Sequence, residues 1–103
     1  MKDTTDNYID LANAVLVKAI DDYKMSIAYI LKHPTPSKRY LEAVKYINEV
    51  ESFFNSKRSD FYITSNIIPR DLFNRYKRMH KDEIDKAMEI IELNNHRLQN
   101  KRA

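Results

Sequence analysis

The stretch LKHPTPSKRYL, residues 31–41, separates two helical patterns by a very short link. A residue that precedes proline is disfavoured in the α conformation, so His33 predicts that the first helix ends at about Lys32. Thr35 and Pro36 predict the next helix start, since threonine can cap a helix and proline suits its first position. Because the link is so short, the two helices must form an antiparallel hairpin.

Apolar residues recur at steps of three and four on both sides of this link, which is the period of an α-helix. The first series predicts a helix over Thr4–Lys32 that Thr4 or Thr5 caps. Its predicted buried residues are Tyr8, Leu11, Ala12, Val15, Ala19, Tyr23, Ile27, Ile30 and Leu31. The second series predicts a helix that ends at about Phe54. Its predicted buried residues are Tyr40, Leu41, Val44, Ile47, Val50, Phe53 and Phe54.

Residues 55–68 predict a hydrophobic corner that is built without glycine. Ser56 can cap a short helical turn there, and this turn would carry Phe61 inward. Pro69 then predicts the start of a third helix, with Ile68 as the cap residue.

The third helix is predicted to begin with a hydrophobic staple in which Ile67 packs on Leu72. Helical spacing of apolar residues continues from there to about Leu98. The charge changes from basic to acidic towards the middle of this segment, and acidic residues favour the start of a helix. The sequence is therefore compatible with one long helix and with a break at residues 79–83.

These segments predict an all-α fold that consists of an antiparallel helical hairpin, a short helical corner and a long third helix, in a three- to four-helix bundle. A chain of 103 residues has the size of one domain, so residues 1–103 are predicted to form a single helical domain. Residues 97–103 are polar and predict a frayed tail. The apolar fraction of 43% favours a folded chain, because disordered chains contain fewer apolar and aromatic residues.

The chain contains neither glycine nor cysteine, which excludes several kinds of active site. Phosphate-binding loops, dinucleotide fingerprints and nucleophile elbows need glycine where the backbone approaches a ligand. Thiolate metal sites and cysteine nucleophiles need cysteine. His80, Asp82 and Glu83 are the best candidates for a metal cluster, but adjacent positions do not share a helix face. We therefore predict no catalytic, cofactor-binding or metal-binding residues, and a protein that is not an enzyme.

The sequence also predicts where the protein resides. No apolar run approaches the roughly 18 residues that a membrane-spanning helix needs. Residues 1–10 are too acidic and polar for a secretory signal. We therefore expect a cytoplasmic protein that does not bind a membrane.

Positive charge is concentrated in residues 55–81, where the net charge is +5 against +3 for the whole chain. Cations interleaved with aromatic residues can bind a phosphate backbone, and Tyr76 would be the ring that stacks on a base. The simpler interpretation is a solvated helix face, since the apolar residues of this segment are accounted for as core. The predicted macromolecule-binding residues are Lys57, Arg58, Tyr62, Arg70, Arg75, Lys77, Arg78 and Lys81.

Seven tyrosines and four phenylalanines exceed what a three-helix core needs to bury. Tyr29, Tyr46 and Tyr62 fall beside or off the apolar stripes. Tyrosine and arginine dominate protein interfaces, so a protein partner or a homodimer is the expected use of this surplus. The alternative is that these rings lie along neighbouring helices.

Residues 22–77 resemble a family of small proteins encoded by phages and integrated mobile elements of low-GC Gram-positive bacteria. Members show a D-Y-[RK] helix, a lysine-proline link, an E-x-E-x-F-F-x-S block, an aromatic segment and a leucine-rich final helix. The chain departs from this pattern at SNIIPR, residues 65–70, where relatives have an aspartate-glycine turn, and its C-terminal extension is longer. The matching positions are Asp22, Tyr23, Lys24, Lys32, Pro34, Glu49, Glu51, Phe53, Phe54, Ser56, Phe61, Tyr62 and Thr64.

This resemblance implies a mobile-element setting inside a host bacterial cell. We expect a non-enzymatic accessory protein that binds a host or phage macromolecule, most specifically an anti-CRISPR type of inhibitor that blocks a defence nuclease. A protein partner is the first expectation. The alternative is a small basic protein that binds DNA or RNA through residues 55–81, and a third hypothesis is a self-assembling structural protein.

Overall fold

A computed structural model describes the backbone of residues 4–63 and 67–102 and the side chains of residues 11–63 and 67–97. This part of the chain contains four α-helices and one 3₁₀ helix, and no strand. The all-α prediction is confirmed. The α-helices are α1, Thr4–Lys32; α2, Lys38–Asn55; α3, Pro69–Met79; and α4, Lys81–Arg102; the 3₁₀ helix is Lys57–Tyr62.

Helices α1 and α2 form the predicted antiparallel hairpin. Beside the link, the guanidinium carbon of Arg39 lies 5.4 Å from the centre of the Tyr29 ring. Further from the link, the Tyr23 hydroxyl donates a hydrogen bond of 3.1 Å to Glu51. Residues near the link on α1 therefore contact residues near the link on α2, and residues far from it contact residues far from it, as in an antiparallel pair.

The predicted start of α2 is wrong by two residues. Ser37, and not Thr35, is the cap: its backbone is extended, and its hydroxyl oxygen accepts a hydrogen bond of 3.1 Å from the N–H of Tyr40. Serine is a better helix cap than threonine, which explains why the chain uses the later residue. Thr35 and Pro36 belong to the link.

Two leucines predicted to be buried are exposed instead. Leu11 keeps 65% of its accessible surface and Leu41 keeps 57%. Leu11 is next to the buried Ala12, and Leu41 is next to the buried Tyr40. Successive residues of a helix are rotated by about 100°, so the neighbour of a buried residue can point to solvent. The inward stripe of α1 continues through Leu16, which the sequence pattern had missed.

The corner between α2 and α3 is built differently from the prediction. Ser56 caps the 3₁₀ helix as expected, by accepting a hydrogen bond of 3.2 Å from a backbone N–H. Phe61, however, is 77% exposed, while Ser59 is fully buried and Tyr62 is half-buried. A 3₁₀ helix has three residues per turn, so the inward positions are Ser59 and Tyr62, which places Phe61 outside.

Helix α3 begins as predicted. Pro69 is its first residue, and Ile68 is the extended residue before it. Ile67 and Leu72 are both half-buried and line the same small depression, as the hydrophobic staple requires.

The predicted long third helix is two helices that meet at His80. The His80 backbone leaves the helical region, with φ of −120° and ψ of 27°. Its N–H still bonds to Tyr76 and its carbonyl accepts from Ile84, both at 3.1 Å, so α4 restarts at once. Basic residues end α3 and acidic residues begin α4, the arrangement that the helix dipoles favour on the two sides of a break.

The described core joins all four α-helices. The Phe54 and Phe73 rings stack at 4.5 Å, and Tyr23 meets Phe73 edge-on at 5.1 Å. At the other end of the bundle the buried Asn94 amide of α4 donates to the carbonyl of Pro34 and to the Tyr40 hydroxyl, each at 2.8 Å. The remaining buried members of the core cluster are Leu16, Ile27, Ile30, Ala43, Ile47, Val50, Ile84 and Ala87.

Three predictions fall on residues whose placement is not described. Capping by Thr4 or Thr5 and burial of Tyr8 concern side chains outside the described range, and Thr64 lies in the gap before Ile67. The backbone of α4 is helical through Arg102, and fraying of residues 97–103 stays a prediction.

The cap assignment predicts different effects for two neighbouring substitutions. Ser37→Ala removes the hydroxyl that binds the Tyr40 N–H and should lower the free energy of unfolding by about 1 kcal/mol. Thr35→Ala is the matched control, because Thr35 precedes the helix, and it should change stability by less than about 0.5 kcal/mol. Urea unfolding followed by circular dichroism measures both. Equal losses, or a larger loss for Thr35→Ala, would contradict the assignment.

Candidate interaction surface

Four of the eight predicted binding residues line one open depression at the junction of α3 and α4. The depression has a volume of about 840 Å³, and we call it the basic depression. Its apolar wall is formed by Ile84 and Met88, and Asn74 also lines it. Its charged residues are the cations Arg75, Lys77, Arg78 and Lys81 and the carboxylates Glu51, Asp71 and Asp85.

Helix α3 positions three of these cations, Arg75, Lys77 and Arg78, because one of its residues is anchored in the core. Phe73 is 1% exposed and stacks on Phe54 of α2. Arg75 and Arg78 lie three positions apart on the outer side of the helix, so they can contact the same ligand. The Lys77 ammonium lies 4.7 Å from the centre of the Phe73 ring, a cation–π contact that orients it.

The two arginines of the basic depression are free to bind a partner. Lys81 pairs with Asp85 of α4 at 3.9 Å. Neither Arg75 nor Arg78 forms an ion pair with any residue that the structure describes. Both are exposed, so their charges point into solvent or into a ligand.

Arg70 has a structural role instead. Its Nε and one terminal nitrogen donate to the carbonyls of Phe54 and Asn55, each at 3.3 Å. The last carbonyls of a helix have no partner within it, so Arg70 satisfies the end of α2. It ties α3 to the hairpin and does not line the basic depression.

The three predicted binding residues of the corner also lie apart from the basic depression. Arg58 turns back so that its Nε lies 3.4 Å from the hydroxyl of Ser56, and it lines a separate groove along α2. The Tyr62 ring is half-buried and lies 5.8 Å from the Phe53 ring. Lys57 is exposed at the start of the 3₁₀ helix. The expected continuous basic patch is therefore divided.

Glu51 both lines the basic depression and contacts the buried core. This carboxylate accepts the Tyr23 hydrogen bond, and burial raises the pKa of Tyr23, with the Glu51 charge and hydrogen bond raising it further. Burial also raises the pKa of Tyr76, with smaller effects from the charges of Glu83 and Asp21. A tyrosine hydroxyl is already protonated at neutral pH, and the raised pKa values keep both groups neutral further into the alkaline range.

Tyr76 is poorly placed to stack on a nucleic-acid base. Its ring is half-buried, 6.2 Å from the Tyr23 ring and 4.6 Å from the His80 ring. These two neighbouring rings already cover part of its surface.

Tyr46 and Tyr29 differ in exposure: Tyr46 fits the prediction of an exposed contact residue, and Tyr29 fits the prediction of a ring that lies along a neighbouring helix. Tyr46 is 51% exposed and lines a groove of about 330 Å³ between α1 and α2. Tyr29 is half-buried in the same groove, where it packs on His33 at 4.7 Å and lies under Arg39.

Neither a metal-binding cluster nor a candidate membrane span is found among the described residues. They contain no group of three histidine or carboxylate side chains that could hold an ion. His80 and Glu83 approach to 4.0 Å, but Asp82 does not join them in such a group. Within the same part of the chain, every helix is too short or too polar to cross a bilayer.

Sequence reasoning missed the carboxylates of the basic depression. Asp71 lies three positions before Asn74 and four before Arg75, and positions three or four apart share a helix face, so its place beside the cations was readable from spacing. Glu51 comes from α2, so no spacing pattern within α3 or α4 indicates that it lines the basic depression.

Comparisons with protein-family models, curated proteins and solved structures give no match to this chain. The resemblance to mobile-element proteins therefore stays a prediction.

The two roles assigned to arginines can be separated by stability. Arg70→Met removes the two hydrogen bonds at the end of α2 and should lower the free energy of unfolding by about 1 kcal/mol. Arg75→Met removes an exposed arginine of the same helix and should change it by less than about 0.5 kcal/mol. Urea unfolding measures the difference. If the two variants were equally stable, Arg70 would return to the candidate binding residues.

Proposed function

We propose that this protein is a non-enzymatic binding protein that contacts an acidic surface of a partner protein through the basic depression. The observation that carries this proposal is the convergence of four cations on one open depression with an apolar wall. Arginines at the centre of such a surface are the residues that contribute most to protein binding. Arg75 and Arg78 have no ion pair among the described residues, so a partner's carboxylates would be their first.

The mixed charge of the depression supports a protein partner over a nucleic acid. Glu51, Asp71 and Asp85 lie among the cations and would repel a phosphate backbone. A protein surface can place its own cations against these carboxylates and its own acids against the arginines. The half-buried position of Tyr76 supports the same choice, because base stacking is the second element of single-strand binding.

The most specific form of this proposal is an inhibitor of a bacterial defence nuclease, of the anti-CRISPR type, that acts in the host cytoplasm as an accessory protein of a phage or mobile element. The mobile-element resemblance and the small size of the chain support it. Such an inhibitor needs no catalytic group, because a bound surface is enough to block a nuclease. Direct binding of DNA or RNA is the alternative, supported by the charge of residues 55–81.

A charge-reversal experiment tests the binding site. Arg75→Glu with Arg78→Glu should weaken partner binding by about tenfold or more, because each interface arginine contributes more than about 1 kcal/mol. The matched control is Lys24→Glu with Lys38→Glu, which changes the net charge equally on exposed lysines of α1 and α2. Quantitative pull-down from nuclease-treated lysate of a low-GC Gram-positive bacterium compares the variants. Equal binding by both variants would contradict the site.

A titration with random duplex and single-stranded DNA and RNA decides the alternative. We expect no binding at low salt. Micromolar affinity that falls steeply with salt concentration would favour the nucleic-acid function instead.

The inhibitor form has its own test in cells that carry an active CRISPR nuclease. Expression of the protein should restore transformation by a targeted plasmid, and expression of the Arg75→Glu, Arg78→Glu variant should not. Protection by neither protein, in the presence of a captured partner, would contradict the inhibitor form and leave protein binding in place.

A further inference from the structure

Two consecutive stretches around the α3–α4 break carry equal and opposite charge. Residues 70–81 have a net charge of +4 and residues 82–93 have a net charge of −4. The break at His80 lies beside the boundary between them.

Helix dipoles explain only part of this separation. They act within the first and last turns, where α3 ends with Lys77 and Arg78 and α4 begins with Asp82 and Glu83. Arg75 lies before the last turn of α3, and Glu89 lies well beyond the first turn of α4. The helix dipoles therefore do not account for the charges of these two residues.

The acidic stretch forms a surface of its own beside the basic depression. We call it the acidic groove, an open depression of about 740 Å³ lined by Asp82, Glu83, Asp85 and Glu89 with Ile90 and Leu93. Lys86 and Leu31 complete its lining. Asp85 lines both depressions, so they adjoin across α4.

We propose that two copies of this chain associate about a two-fold axis, with the basic depression of each copy against the acidic groove of the other. A two-fold contact uses the same patch on both subunits, so the patch must be complementary to itself. Four cations and three carboxylates line the basic depression, and four carboxylates and one lysine line the acidic groove, so the first is net positive and the second net negative. Such a patch meets this condition when one copy is rotated by half a turn and the cations of each depression face the carboxylates of the other copy's groove. The charge complementarity of the two stretches therefore selects a second copy as the occupant.

Apolar side chains add contact area to this dimer. Leu93 is 53% exposed within the acidic groove, and Met88 lines the basic depression. The exposed charges alone would hold two copies weakly, because solvent and salt screen them. The dimer is therefore weak and dissociates as the salt concentration rises.

The dimer and the proposed partner would compete for the basic depression, because each occupies the same arginines. The two proposals can fail separately. Dimer formation is measured with the purified protein alone, and partner binding is measured at concentrations too low for the dimer.

Sedimentation velocity of the purified chain tests the association first. At about 50 mM salt a concentration-dependent dimer is expected, and at about 500 mM salt a monomer, because the screening length shortens severalfold. A monomer at every protein concentration in low salt would overturn the proposal. A dimer that persists unchanged in high salt would overturn its electrostatic basis.

A charge-swap experiment then tests the contact itself. The Arg75→Glu, Arg78→Glu variant and an Asp82→Lys, Glu89→Lys variant, which reverses two residues that line the acidic groove, should each be monomeric at low salt, and an equimolar mixture should form a heterodimer. All four positions are exposed, and circular dichroism verifies the fold. The Lys24→Glu, Lys38→Glu variant should dimerise like the unmodified chain. A mixture that stays monomeric, or single variants that still dimerise, would overturn the two-fold contact.

Discussion

The buried ring of Tyr23 is the contact on which the arrangement of three helices depends. Its side chain is fully buried on α1, meets Phe73 of α3 edge-on at 5.1 Å and donates a hydrogen bond to Glu51 of α2 at 3.1 Å. Phe73 in turn stacks on Phe54 at 4.5 Å. Helix α3 has only 11 residues, and a helix of that length is marginal by itself in water, so it depends on this aromatic cluster and on the Arg70 hydrogen bonds to stay on the hairpin.

The same cluster positions the candidate interaction surface. Because Phe73 faces the core, Arg75 and Arg78 face outward, and the break at His80 brings the start of α4 beside them. Glu51 belongs to both regions, since it accepts the hydrogen bond from the core and lines the basic depression. Glu51 therefore links the core to this surface, and a change in the packing of α3 would move the cations that line the basic depression.

Local constraints made much of the fold predictable. The bounds of α1 and the start of α3 at Pro69 followed from proline geometry and apolar spacing, which act within a few residues. The exposure of Phe61 was not predictable, because it depends on a 3₁₀ period in place of an α period. In the candidate site, spacing along residues 75–81 placed four cations together, while the capping role of Arg70 and the presence of Glu51 depend on contacts between helices that are distant in sequence.

A double-mutant cycle between Tyr23 and Phe73 tests most directly whether their contact holds α3 on the hairpin. The free energy of unfolding in urea would be measured for Tyr23→Leu, for Phe73→Leu and for both together. The lost hydrogen bond to Glu51 affects both arms of the cycle that contain Tyr23→Leu, so it cancels from the coupling energy. We expect a coupling of about 0.5 to 1.5 kcal/mol, the range of an edge-on aromatic pair. Additivity within about 0.3 kcal/mol would show that the two rings do not stabilise each other and would contradict the account.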